Sequence, residues 1–283
     1  MFDYKAITSD DVLTTSFQQV SKNQWKAINR ISGEELGIVT KLEAEGPTST
    51  FEYSDPALED QFNFWLGRPE RKVGQLVNIE GRSLNDLMDM YEELLVGAYI
   101  MKNPAEKIYI GQSGKYAQMI DWLRTTDFYK APASTQYHES FVGGLVVHSL
   151  KVYNEAMWMR RLPKFKNVPV ESAAFVALVH DWCKISTYEP YQKNVKNEKT
   201  GQWEKQDSFK RNFTGLTLGH GVTSMFLANK YLELTDEEAA AIRWHMGHWN
   251  TVGVEENEMQ KCNHQYPLVY LIQFADQLSI TEY

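Results

Sequence analysis

Apolar residues recur at helical spacing through most of the chain beyond residue 83 and lose that rhythm before it. In SLNDLMDMYEELLVGAYIM, residues 83–101, Leu84, Leu87, Met88, Tyr91, Leu94 and Leu95 fall on one face behind a Ser83 cap with Asp86 three positions on. That spacing predicts an amphipathic helix. A second is expected over Lys115 to Arg124, followed by a loop through FYKAPASTQYHES. After Gly143-Gly144 five more helices are predicted in succession: LVVHSLKVYNEAM, the strongly apolar SAAFVALVHDWCKI, HGVTSMFLANKYL, DEEAAAIRWHMGH and PLVYLIQFADQLS.

Between the second and third of these five, YEPYQKNVKNEKTGQWEKQDSFKRNF alternates polar and apolar positions around a Lys199-Thr200-Gly201-Gln202 turn, the pattern of an excursion hairpin or flap. It is too polar to be core. The first 80 or so residues are punctuated by Gly33, Gly46, Pro47, Pro56, Gly67 and Pro69, with short strand-like stretches such as 24–31 and 49–53. The expected architecture is therefore mainly α, a helical bundle over 83–283 with a β-hairpin excursion, preceded by a small mixed region over 1–82. No internal repeat or heptad series is visible.

Composition narrows the classes. With 283 residues and 43% hydrophobic content the chain can bury a large core, and no run of about 18 apolar residues suits a membrane span. Two cysteines, Cys183 and Cys262, build no disulfide framework, and the N-terminal MFDYKAITSDD lacks the order of a signal peptide, so a cytoplasmic protein is expected. A net charge of -8 argues against a broad electrostatic grip on nucleic acid and favours a small anionic substrate. There is no G-x-S-x-G nucleophile elbow, and GQSGKY at 111–116 has neither the spacing nor the Ser/Thr of a phosphate loop. Cys262 and His264 lack a second cysteine pair, which removes a structural zinc site.

The chemistry lies in His148, the adjacent His180-Asp181, His220, His245 and Asp276, spread one or two to a helix. A lone histidine is more often an ordinary core or surface residue; six ordered imidazoles and carboxylates are the donor set for divalent cations. A two-metal hydrolytic site needs a carboxylate that touches both ions, held roughly 3.5–4 Å apart, with further ligands on either side. Asp181 suits the bridge, with His148 and Asp276 completing one ion and His220 and His245 the other. Mixed nitrogen and oxygen donors suit Mn or Fe, with Ni, Co or Mg as alternatives. Lys184, three residues after Asp181, would share its helix face and reach a substrate phosphate, although a lysine at a helix end is often only a partner for the dipole. His138, on the loop before the first ligand, would contact substrate or donate a proton, against the plainer reading of a loop histidine satisfied by backbone. His248, three positions after His245, competes with it and is placed as a substrate contact. Basic and aromatic residues in the hairpin, among them Lys193, Lys196, Lys199, Trp203, Lys205, Lys210 and Arg211, allow base stacking along a single strand, against the reading of a solvated ribbon.

The segments GGLVVHSLKV, LVHDWCKI and FADQLS resemble the H…HD…D pattern of the HD-domain phosphohydrolases, an all-helical superfamily of metal-dependent phosphomonoesterases, phosphodiesterases and dNTP triphosphohydrolases. The resemblance covers roughly 137–279. The histidines of LGHGVTS and IRWHMGH are similar to the additional pair of its binuclear members, and Lys184 to the lysine of HD-x-x-K versions. The approach FYKAPASTQYHESFVGGLVVHSL is similar to HD proteins related to bacterial 3'-5' exoribonucleases. The resemblance implies a hydrolase of nucleotides or short oligonucleotides, with a 3'-5' exonuclease on single-stranded RNA or DNA and a non-catalytic nucleotide-binding module as alternatives. Whether the chain forms a homo-oligomer is left open.

Overall fold

The computed structural model describes residues 15–21, 23–29, 35–42, 50–56, 72–103, 115–212 and 214–281. Eight α-helices lie among them: α1 Leu84–Lys102, α2 Lys115–Thr125, α3 Gly144–Met159, α4 Val170–Val179, α5 His220–Ala228, α6 Asp236–Trp244, α7 Val254–Gln265 and α8 Pro267–Ser279. The expected Ser83 cap is present, its hydroxyl accepting from the Asp86 amide at 3.2 Å. A capping box opens α6, with Thr235 and Glu238 satisfying each other's backbone amides. The fold is mainly α, as the periodicity predicts.

Helix α4, VESAAFVALV, is apolar on every side, and a helix without a polar face belongs in the middle of a core. It packs against α1, α3, α6 and α8, and its residues from Ser172 to Val179 are all buried. One pair of side chains fixes the approach of α1. Tyr91, fully buried, donates to the Leu178 carbonyl at 2.8 Å and accepts from the Trp182 indole at 2.9 Å. Tyr91→Phe would leave that indole N–H and that carbonyl unpaired in the core, so a loss of about 1–3 kcal/mol is expected in chemical denaturation. An unchanged midpoint would show that the pair is dispensable.

Two sheets complete the fold. Strands β1 Thr15–Ser21, β2 Gln24–Asn29, β3 Glu35–Leu42 and β4 Thr50–Tyr53 form an antiparallel meander in chain order, with Trp25, Ala27 and Val39 as a small core of its own. Of the expected stretches 24–31 and 49–53, residues 24–29 and 50–53 are strands and 30, 31 and 49 lie outside the described residues; the sheet also contains 15–21 and 35–42. Strands β5 Tyr188–Lys196 and β6 Trp203–Arg211 pair antiparallel, with Tyr188 opposite Arg211 at the base and Lys196 opposite Trp203 at the tip. This is the hairpin expected from the alternation, and most of its residues are exposed.

Three differences from the sequence reading have physical causes. The predicted helix 172–185 ends at Val179 and resumes as a 3-10 turn over Trp182–Lys184, while the predicted 236–248 helix ends at Trp244 before a 3-10 turn over Gly247–Asn250. In both, a histidine just past the helix turns its Nδ1–H onto a carbonyl three residues back: His180 onto Ala177 at 2.8 Å, His245 onto Ile242 at 2.7 Å. The side chain occupies the acceptor that the next turn of helix would use. The third is α7, whose sequence VEENEMQKCNHQ offers almost no apolar period; only Met259 and Asn263 of it are buried. No helix among the described residues is long and apolar enough to cross a membrane.

Candidate metal centre

His148 lies in the second turn of α3, His180 and His245 at the ends of α4 and α6, Asp181 in the break before the 3-10 turn, His220 at the first position of α5 and Asp276 in the last turns of α8. Folding brings all six together. Ring centroids of His148 and His180 are 5.3 Å apart, those of His180 and His245 4.9 Å, and those of His245 and His220 5.1 Å. The carboxylate of Asp181 sits among them, buried. Its Oδ2 is 3.3 Å from His148 Nε2 and 3.5 Å from His180 Nε2; its Oδ1 is 2.8 Å from His220 Nε2 and 3.6 Å from His245 Nε2. Asp276 Oδ1 is 3.2 Å from His148 Nε2 and 3.9 Å from His180 Nε2.

The outer nitrogens of three of the rings are engaged. His180 and His245 donate Nδ1–H to backbone carbonyls, and His148 Nδ1 lies 3.4 Å from Ser279 Oγ, whose own proton goes to the Asp276 carbonyl. Holding Nδ1 in this way fixes the ring and aims Nε2 inward, the arrangement that orients metal-ligating histidines. The Nε2 of His245 is buried with no hydrogen-bond partner. An orphaned imidazole nitrogen beside a carboxylate is costly unless something accepts its lone pair, and the donor set around it suits a divalent cation.

The electrostatics agree. Burial pushes the pKa of His180 and of His220 down, favouring the neutral form that can ligate. Burial opposes ionisation of Asp181, yet Lys184 and the surrounding imidazoles outweigh it and hold its carboxyl well below the ordinary range. For His148 burial favours loss of the proton, but hydrogen bonds to Asp181 and Asp276 win and raise its pKa to about 9. A proton on His148 Nε2 therefore competes with a cation for the same carboxylates. Divalent metal affinity of chelator-treated protein should rise with pH between about 6.5 and 9, roughly tenfold per unit for one displaced proton, and level off above. Titrations in two buffers of different ionisation enthalpy would measure the protons released; release of none at pH 7 would contradict this picture. The same shift stabilises the chelated protein fully below pH 6.5, a contribution lost as the pH rises through about 9.

The remaining sequence candidates fall differently. Lys184 is buried and its Nζ is 2.6 Å from Asp181 Oδ2, so its charge is already committed to that carboxylate. His138 reaches the edge of the cluster, with its ring 4.9 Å from that of His148 and its Nδ1 2.8 Å from Glu139 Oε2. His248 is not brought in: it is exposed and pairs with Glu256 at 3.2 Å. Glu139, which sequence reasoning passed over, holds His138 and Lys151 and lies 3.8 Å from His148 Nδ1. Burial works against its ionisation, but those three partners bring its pKa down to about 2. Its backbone has φ of 41°, unusual for a residue with a side chain, and no spacing in the sequence announces it.

Beside the cluster is a cavity of about 220 Å³ bounded by the 3-10 turn, the base of the hairpin and the start of α5. Lys184 and His220, both touching Asp181, form its inner wall.

Residues 145–281 match the family model of the HD domain, a span that contains all six clustered residues. HD domains are typically metal-dependent hydrolases, so the match suggests a metal-dependent phosphohydrolase in general. No curated protein and no solved structure matches the chain.

Proposed function

We propose that this chain is a phosphohydrolase that holds two divalent ions, Mn or Fe being best suited to the donors, and cleaves phosphoesters of nucleotides or short oligonucleotides. The observation that carries the reading is the split environment of Asp181: one carboxylate oxygen faces His148 and His180, the other faces His220 and His245. On this reading Asp181 would be shared between the ions, Asp276 with His148 and His180 would hold one, and His220 with His245 the other. Ions bound there would draw charge from a phosphoryl oxygen and acidify an attacking water.

The chain's own residues do the rest. Lys184 balances the charge of Asp181 and faces the cavity, where its ammonium would meet a phosphate oxygen. His138, oriented by Glu139, stands beside His148 where it would deliver a proton to a departing oxygen. Purified protein reconstituted with Mn, Fe, Ni, Co or Mg should hydrolyse at least one member of a panel of nucleotides, cyclic nucleotides and short oligonucleotides, and lose that activity in chelator. Turnover that persists in chelator, or none with any metal, would overturn the proposal.

One observation favours the exonuclease alternative. The hairpin face shared by Tyr188 and Arg211 runs through Asn194 and Lys205 to Lys196 and a 70% exposed Trp203, which offers cations and a stacking ring to a longer strand. Binding of single strands that falls steeply with salt, with progressive shortening, would select it; cleavage confined to mononucleotides would exclude it.

A further inference from the structure

The cavity beside Asp181 differs in character from the surface of an acidic protein. The chain has a net charge of -8, yet no carboxylate lines this space. Its polar lining includes Lys184, Tyr188, Arg211 and His220, with hydroxyls of Thr187, Thr217 and Thr223. Of the two fixed cations, Lys184 is already paired with Asp181, whereas Arg211 makes no ion pair among the described residues.

Arg211 and Tyr188 are opposite one another in the β5–β6 ladder, so both side chains leave the ribbon on the same face. Tyr188 lies within electrostatic reach of Lys184, Asp181 and Arg211, and its hydroxyl has no hydrogen-bond partner among the described residues. An exposed guanidinium fork and a half-buried phenol, neither paired among the described residues, line the same cavity as His220 and are complementary to an anion with several oxygens. At about 220 Å³ the space is smaller than the 300–1,000 Å³ of sites that take whole drug-sized ligands, which fits one group rather than a complete nucleotide.

We propose that the cavity binds a second phosphate of the substrate, adjacent to the phosphoryl group under attack, and that Arg211 and Tyr188 hold it. The inference rests on the phosphohydrolase reading and deepens it: the preferred substrates carry neighbouring phosphates, as in a nucleoside di- or triphosphate, rather than a single terminal one. The hairpin is then a wall of the substrate site at its base, and the identity of its residues 188 and 211 sets specificity.

Calorimetric titration of metal-loaded protein with inorganic pyrophosphate and with orthophosphate tests this without requiring turnover. Wild type should bind pyrophosphate at least roughly tenfold more tightly than orthophosphate. Arg211→Met should lose that preference while leaving orthophosphate affinity within about twofold, and Arg211→Lys should recover part of it, since charge returns without the fork. Tyr188→Phe should weaken pyrophosphate alone, by a smaller factor. Equal weakening of both anions, or no pyrophosphate preference in wild type, would overturn the proposal. The hydrolase reading fails on different grounds, absence of metal uptake and of chelator-sensitive turnover. A chain that took up metal but turned over no phosphoester would still show or lack the Arg211 contrast in the same titration.

Discussion

Asp181→Asn is expected to leave the protein unable to retain divalent metal and to reduce phosphoester turnover by more than the ~10–100-fold typical of a residue that merely orients a ligand. Five side chains converge on that carboxylate: His148, His180 and Lys184 on Oδ2, His220 and His245 on Oδ1. An amide keeps the shape but removes the negative charge and turns an N–H₂ donor towards either Lys184 or the inward nitrogens. Lys184 would then be a buried ammonium without its counter-charge, and breaking a buried pair in this way costs about 3–5 kcal/mol. The double variant Asp181→Asn, Lys184→Met separates the two effects. It should regain thermal stability and still bind no metal. Elemental analysis and thermal melting on the three proteins would read both, and a single variant that kept full metal and turnover would contradict the assignment of Asp181.

The second large effect is expected at a residue that has no side chain to offer as a ligand. A Cβ placed on Gly144 would lie 1.9 Å from the Glu139 carbonyl oxygen and 2.9 Å from its carbon, backbone atoms held in place by the Ala133 amide. Gly144→Ala must therefore push the 131–139 loop off the first turn of α3, and with it the Glu139 and His138 side chains that stand against His148. Overpacking typically costs 1–3 kcal/mol and more where backbone must move, so a fall in Tm of roughly 5–10 °C is expected. Metal affinity should fall with it. Gly97→Ala is the contrast: the added methyl meets only the Val73 Cγ2 at 2.8 Å, a side-chain end that can rotate, and a helical glycine gains about 1 kcal/mol of propensity on becoming alanine. That variant should melt close to wild type. Similar losses at both positions would mean that the loop contact does not matter.

The two glycines show what the sequence could and could not tell. Gly143-Gly144 reads as punctuation before a helix, but nothing in the local pattern says that a carbonyl from five residues upstream lies against Gly144. The same division holds elsewhere. Helices α1, α3 and α8 were legible because their apolar positions recur at the period that one buried face requires, and α4 because it is apolar throughout. Helix α7 was not, since it buries only two residues and its remaining positions are polar. The six clustered residues were legible as a donor set in order. Their places at helix ends were not, because the breaks after Val179 and Trp244 arise from imidazoles bonding back to Ala177 and Ile242.

Contacts between distant segments were hidden altogether. Glu139 looks like one more polar loop residue until His138, His148 and Lys151 are seen around it. Lys184 was expected on the same face as Asp181, but not that its ammonium would be paired with that carboxylate at 2.6 Å. His248 sits three residues from His245 and would share its neighbourhood on a continuous helix; the break at Trp244 and the positive φ of Gly247 turn it out to solvent and Glu256. The hairpin was expected as a polar excursion, and its exposed arms fit that. Its base closes a cavity beside Asp181 because Tyr188 and Arg211 face the start of α5, a relation that no local pattern records.

The division of ligands between the two oxygens of Asp181 is tested most directly by counting ions. Elemental analysis of protein reconstituted with Mn and freed of loose metal should find two ions per chain in wild type and one in His245→Ala, with phosphoester turnover falling alongside. One ion per chain in both proteins, or two in both, would contradict a site shared between two metals.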